Sequence, residues 1–246
     1  MNSERVESSS SPPIAQKANA GATSAWRWAR EVLAIWRKDM LQEWRLRQGI
    51  VASLLMGIVT VVGVGFATLG EALEVGLQAG LFWIVLLFGL FPALARGFIT
   101  EEETGTADLL RVGAQPAVVF WGKWLFHATL YCLLSLVIVP LYALMIAPLR
   151  GDWLGWLLLW ALGGFCLVSV ITLCGALVAR TAVRGALLAV LTFPLLLPLL
   201  LLLIAGTKAA LQAQSVWSVL QGVLGYALMM SAGAAWVFDR IWRDTM

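Results

Sequence analysis

Six long apolar segments dominate the pattern of hydrophobic and polar positions along the chain. Each segment is almost wholly apolar and has the length of about 20 residues that a helix needs to cross the hydrocarbon core of a bilayer. Backbone groups in lipid must bond within their own segment, and the residues do not alternate as barrel strands would, so the segments predict helices. The predicted spans are about 50–69, 75–95, 124–147, 153–179, 186–205 and 216–238.

The chain before the first span has two parts. Residues 1–23 are rich in Ser, Pro, Ala and Asn without an apolar period, which predicts a disordered N-terminal tail that lacks the apolar core of a secretory signal. Residues 24–48 predict an amphipathic helix lying in the membrane interface, because Trp residues share one face and basic residues occupy the others. A soluble amphipathic helix is the alternative. The apolar stripe consists of Trp26, Ala29, Leu33, Trp36, Met40 and Trp44.

Composition supports the membrane reading and argues against a soluble or nucleic-acid-binding protein. Hydrophobic residues make up 61% of the chain and charged residues 13%, whereas a soluble domain averages about 25% charged residues. Of the 17 Lys and Arg residues, 15 fall in the N-terminal segment, in the loops after the second and fourth spans, and in the C-terminal tail. The two exceptions are Arg150 and Lys208. This asymmetry predicts that both termini are cytoplasmic. The predicted fold is an all-α integral membrane protein with six transmembrane helices.

Catalytic and cofactor-binding motifs are absent from the sequence. The pair Gly122-Lys123 is followed by Trp124 and is not part of a GxxxxGK[ST] phosphate loop, and HExxH and GxSxG do not occur. The three cysteines lie inside apolar runs and form no CxxC, so we expect them to pack as small hydrophobic residues. The spans also have no ionisable residue near their centres. We therefore predict no catalytic residue and no metal site, so that any energy for work comes from an ion gradient or a partner subunit.

Two smaller features of the spans have two interpretations each. Lys123 and His127 are four residues apart and share a helix face as a candidate polar cluster. His127 is either a haem ligand or member of that cluster, or a packing histidine near the interface. Pro194 and Pro198 remove backbone donors from one face of the fifth span, which predicts a kinked or broken helix. One interpretation is that this kink or break takes part in gating. The other is that the helix is simply bent where it packs against its neighbours.

An acidic segment follows the second span and opposes the basic trend of the cytoplasmic side. Thr106 can cap a short helix with Asp108 in its first turn. Successive glutamates would be repelled by anionic lipid head groups, so they suit contact with a protein partner, and a solvated loop is the alternative. The predicted coupling segment comprises Glu101, Glu102, Glu103, Gly105, Thr106, Asp108, Leu109 and Leu110.

The acidic run, the following Gly-Thr-x-acidic-Leu-Leu and the Gly-Lys that opens the third span resemble the coupling segment of six-helix ABC exporter permeases. Lys123 with His127, Pro140 late in the third span, and Arg184-Gly185 followed by Phe-Pro-Leu-Leu-Leu-Pro-Leu at 193–199 are similar to the cytochrome c maturation permease family. Its members are also called haem exporter protein B, or CcmB. The similarity covers roughly residues 31–244. The long N-terminal tail and Ala107, where leucine is more usual, depart from it.

The resemblance implies a membrane permease subunit of an ABC-type complex for haem export or haem-chaperone handling in c-type cytochrome biogenesis. The implied partners are a cytoplasmic ABC ATPase bound through residues 101–111, a haem-handling membrane subunit and a small single-span subunit. Membrane lipid and a second copy of the chain are further candidate partners, whereas nucleic acid is not. No cofactor is expected to be resident, and haem is a candidate transported or handled ligand. The alternatives are a generic exporter permease for a lipid, drug or polysaccharide, or a non-transporting membrane scaffold.

Overall fold

The computed structural model describes residues 14–69, 72–94, 96–97, 101, 105, 114–178 and 184–243, and these residues contain no strand. The helices are α1 (Ile14–Leu46), α2 (Gln48–Ala67), α3 (Val75–Leu94), α4 (Pro116–Met145), α5 (Trp153–Val178), α6 (Arg184–Leu211) and α7 (Trp217–Arg243). Six of them, α2 to α7, are long and apolar enough to cross a membrane. The predicted all-α fold with six spans is confirmed.

Four helices extend clearly beyond the predicted boundaries, and one of them, α7, runs to Arg243, five residues past the predicted end of the sixth span. Helix α1 begins at Ile14, so residues 14–23 are helical where a disordered tail was predicted; residues 1–13 lie outside the described part. Alanine, the strongest helix former, is frequent in this stretch and lets the helix continue. Helix α4 begins at Pro116 because proline suits the first helical position. Helix α6 runs on to Leu211, since a helix need not stop where the hydrocarbon ends.

A single non-helical residue, Arg47, separates α1 from α2. This residue has a φ of 55°, in the left-handed region, which is uncommon for residues other than glycine. Its amide donates to the Glu43 carbonyl at 2.6 Å and closes α1. The Glu43 Oε1 atom in turn accepts a hydrogen bond from the Ile50 amide at 2.9 Å, which caps the free N-terminus of α2. Helix α1 is therefore held one residue away from the first candidate span.

Loops from three parts of the chain meet at one end of the helix bundle. The Asp152 amide donates to the Ala210 carbonyl at 2.8 Å. Gln78 Nε2 donates to the Pro148 carbonyl at 3.0 Å, and the Tyr142 hydroxyl donates to the Gln78 carbonyl at 2.7 Å. The α2–α3, α4–α5 and α6–α7 connections therefore share one end, as successive crossings of a membrane require. Which end faces the cytoplasm stays a prediction from the charge count.

Small residues let α2 pack closely on its neighbours. Its buried positions recur every four residues, at Gly49, Ser53, Gly57, Val61 and Gly65. Close approach through small residues is how membrane helices gain packing contacts. The Ser53 hydroxyl also accepts a hydrogen bond from the Ala93 amide of α3 at 2.8 Å, beside the proline at position 92 that interrupts the α3 ladder. The spacing of these small residues can be read from the sequence, but the hydrophobicity pattern that predicts the spans does not show it.

Replacing Gly57 with Leu is expected to destabilise the bundle by about 1–3 kcal/mol, the usual cost of overpacking. A Cβ at Gly57 would lie 2.8 Å from Ile138 Cδ1 of α4, whereas a Cβ at Gly63 would meet no atom within 4 Å. Gly63→Leu on the same helix is the matched control and should leave stability unchanged. The measurement is the thermal unfolding midpoint of each purified variant in one detergent. Equal midpoints for the two variants would contradict this packing.

The fifth span, predicted to be kinked or broken at Pro194 and Pro198, is not broken, and a kink there stays a prediction. Helix α6 continues through Pro194 and Pro198, and both prolines are exposed on its surface. Pro198 cannot donate to the carbonyl one turn before it. Close to that point, the Tyr226 hydroxyl of α7 donates to the Leu195 carbonyl. The carbonyls that the two prolines leave without a helical donor are those of Val190 and Pro194, so this bond is a tie between α7 and α6 and does not replace the missing ones.

Candidate functional site

Four charged side chains form an ion-pair network where α1, the segment after α3 and α4 meet. Lys123 of α4 is only 2% exposed, and its Nζ lies 2.9 Å from Asp39 Oδ2 and 2.8 Å from Glu101 Oε1. The same amine donates to the Gly97 carbonyl at 2.9 Å. Lys38 pairs with Asp39 at 3.1 Å and also contacts Glu101. We call Lys38, Asp39, Glu101 and Lys123 the buried ion-pair network.

Helix α1 brings Asp39 into the network because it docks closely on α4. The docked face carries Val32 and Ile35, both 7% exposed. Gly122 of α4 permits this approach, since a Cβ there would lie 2.7 Å from Ile35 Cγ2. A hydrogen bond of 3.0 Å from Trp36 Nε1 to Thr129 Oγ1 adds a second tie between the helices.

This docked face differs from the apolar stripe predicted for α1. Trp26, Leu33 and Trp44 of the predicted stripe are 67%, 50% and 59% exposed, whereas Trp36 and Met40 are partly buried. The difference arises because the docked face includes the charged residue Asp39, which the apolar period passes over. Lys123 compensates the Asp39 charge across the helix contact, so a face with a carboxylate can be buried. The buried face of α1 thus depends on α4.

Burial and pairing act in opposite directions on the charges of the network. Burial raises the pKa of the Asp39 carboxyl above its ordinary value, although the positive charge of Lys123 works to lower it. For Lys38, burial lowers the pKa, but the carboxylates of Asp39 and Glu101 outweigh burial and raise it. With two lysines and two carboxylates, the network is formally neutral. Its charges depend on one another, because water is largely excluded.

His127 lies one turn beyond Lys123 on α4 and is 1% exposed. Its Nδ1 is 2.8 Å from the Thr172 hydroxyl of α5. The other ring nitrogen, Nε2, faces Gly97 so closely that a Cβ at that position would overlap it. This nitrogen has no hydrogen-bond partner among the described residues. The geometry favours the packing interpretation over a haem ligand, since Gly97 fills the space in front of Nε2.

The predicted coupling segment is described only in part. Glu101 is 3% exposed and belongs to the buried ion-pair network, so its carboxylate faces the interior of the bundle. Gly105 is exposed and has a φ of 69°, a conformation that L side chains rarely adopt. The remaining predicted residues lie outside the described part of the chain; they are Glu102, Glu103, Thr106, Asp108, Leu109 and Leu110.

Two members of the network, Lys38 and Asp39, were missed by the sequence analysis. The available signal was an acidic residue among the basic residues of α1, four positions after the buried Ile35. A small pocket of about 30 Å³ borders the network between α1, α2 and α3, which is room for about two water molecules. On its rim, Arg96 Nη2 donates to Gln48 Oε1 at 3.0 Å. The described residues contain no group of metal-ligating side chains.

The ion-pair network can hold separate parts of the chain together. A buried ion pair that separates leaves uncompensated charge in a medium of low dielectric constant, at a cost of several kcal/mol. Glu101, Lys123 and Asp39 therefore tie the start of the acidic segment to α4 and α1. The network therefore connects Glu101, where the acidic segment begins, to the helix bundle.

Comparison with known proteins gives one match. The model of the CcmB protein family matches residues 30–238. This range includes the four network residues and all six candidate spans. A search of the curated proteins found no match.

Proposed function

Because the chain belongs to the CcmB family, the haem exporter protein B family, we propose that it is the membrane permease subunit of an ABC-type complex. Family membership makes it a membrane component of haem export in cytochrome c biogenesis, and six apolar helices make it a multi-pass membrane protein. We place it in the bacterial inner membrane. Its proposed partners are a cytoplasmic ABC ATPase, a haem-handling membrane subunit and a small single-span subunit.

The observation that supports coupling to an ATPase is the position of Glu101. This residue opens the acidic segment and is at the same time paired with Lys123 inside the bundle. An ATPase that pushes on residues 102–111 would therefore move a segment whose first residue is fixed to α4. Through Lys123 and Asp39 the movement would reach α1. In this proposal ATP hydrolysis outside the membrane drives a rearrangement of α1 and α4, which a neighbouring haem-handling subunit uses.

Cells that lack this chain are expected to lose nearly all haem-stained c-type cytochromes, because haem no longer reaches the apocytochromes. The b-type cytochromes, whose haem is bound without that pathway, should remain. The measurement is haem staining of membrane proteins after gel electrophoresis, together with difference spectra of whole membranes. A plasmid that supplies the wild-type chain should restore the c-type bands. If cells without the chain kept normal c-type cytochromes but failed to export a lipid, a drug or a polysaccharide, the generic exporter permease would be favoured instead.

A further inference from the structure

The outward face of α1 carries two adjacent rows of residues. One row contains Trp26 and Leu33, and the second lies four residues further along, at Arg30, Arg37 and Trp44. Members of each row are seven residues apart, so each row runs along the helix, and the rows are about 40° apart around it. Trp26 and Trp44 are 67% and 59% exposed.

These rows are separate from the face that docks on α4. Val32, Ile35 and Asp39 point into the bundle, about 140–180° from Arg30 and Arg37 around the helix. Arg30 and Arg37 are exposed, and neither pairs with a carboxylate within the described ranges. Both therefore have guanidinium groups available to a ligand.

The connections of α1 place it beside two of the candidate spans. Helix α1 ends at Leu46 and the first candidate span begins at Gln48, with only Arg47 between them. The middle of α1 is tied to α4, a second candidate span, by the bond from Trp36 to Thr129. Helix α1 is thus joined at both places to helices that are long and apolar enough to cross a bilayer, and a helix with Trp and Arg on its free face suits the head-group layer beside them.

The two rows match the chemistry of that layer. Tryptophan is favoured where an apolar ring can enter the acyl boundary while the indole N–H stays near polar groups. Arginine binds phosphate through two parallel N–H donors. We propose that Arg30 and Arg37 form a binding site for anionic phospholipid head groups, with Trp26 and Trp44 seated beside them in the acyl boundary. The site fixes the depth of α1 in the interface and thereby supports the docked position of Asp39.

The test uses the purified full-length chain in a non-ionic detergent, with fluorescent phosphatidylglycerol and phosphatidylcholine as probes. The wild type should bind phosphatidylglycerol more tightly than phosphatidylcholine. The double variant Arg30→Gln and Arg37→Gln should bind phosphatidylglycerol about 25-fold more weakly, since each basic residue near an anionic lipid contributes about fivefold in affinity. Its circular dichroism should equal that of the wild type, because both arginines are exposed.

A matched control removes the same charge from another face. Arg27 and Arg45 are exposed residues of α1 that lie about 60–80° further around the helix than Arg30 and Arg37. The double variant Arg27→Gln and Arg45→Gln should lose less than about threefold in affinity, because screening weakens charges that do not touch the lipid. Equal losses in the two double variants, or equal binding of the two lipids by the wild type, would overturn the proposal. Unchanged lipid binding with loss of a co-purified subunit would also overturn it and assign the face to a protein.

Discussion

Replacing Lys123 with Met is expected to destabilise the chain by about 3–5 kcal/mol, the cost of removing one partner from a buried ion pair. Lys123 is 2% exposed and holds the carboxylates of Asp39 and Glu101 at 2.9 and 2.8 Å. Without its charge, both carboxylates would lose a buried positive partner, and the neighbouring Lys38 is partly exposed. Methionine keeps the length and apolar stem of the side chain, so the effect reports the charge. The measurement is unfolding of the purified variant in mixed micelles with increasing denaturing detergent.

Two further variants separate pairing from general effects of charge. Lys208 lies 3.7 Å from Glu74 with side-chain exposures of 45% and 78%, so Lys208→Met should cost at most about 1 kcal/mol, as exposed pairs do. Adding Asp39→Asn to Lys123→Met restores a neutral network and should recover about 0.5–3 kcal/mol. Equal losses for the two lysine variants, or a further loss in the double variant, would show that the network does not hold buried charge.

The spans could be predicted because the bilayer imposes a simple rule. A helix in lipid must be apolar over about 20 residues, and the sequence shows this directly. Helix ends follow a different rule, since backbone bonding continues beyond the hydrocarbon wherever the residues allow it. Pro116 could therefore start α4 eight residues before the predicted span, and Ile14 could start α1 inside the predicted tail. Hydrophobicity locates the part of a helix in lipid and says little about the rest.

The candidate site was only partly predictable, because its contacts join distant parts of the chain. Lys123 and Glu101 were each identified, but for separate roles, and nothing local in the sequence indicates that they pair. Asp39 belongs to a face of α1 that becomes favourable only when Lys123 and Gly122 lie against it. The tryptophan stripe was the stronger apolar signal, and it predicted a face of α1 toward the membrane interface. A second face that packs on another helix cannot be recognised from that one apolar period.

Reversing the charge of the acidic segment is expected to remove the ATPase from the complex. The variant carries Glu102→Lys, Glu103→Lys and Leu109→Asp, and it leaves Glu101 unchanged because that residue is buried in the network. The proposal depends on three observations: the sequence has no phosphate loop, the spans lack central ionisable residues, and the segment opens beside the network. Losing a desolvated charge contact costs about 2–5 kcal/mol, or about 25- to 4,000-fold in affinity.

The variant should still insert, because the substituted residues lie outside every span. Glu74→Lys is the control, since it reverses an exposed acidic residue in the α2–α3 connection, at the opposite end of the bundle. Pull-down of tagged chains from solubilised membranes measures ATPase retention, and haem staining of the same cells measures c-type cytochromes. The triple variant should lose both, whereas the control should keep both. Full ATPase retention with normal cytochromes in the triple variant would move the coupling contact elsewhere, to α1 or to the loop at 180–184, and would separate the ATPase from the network around Lys123.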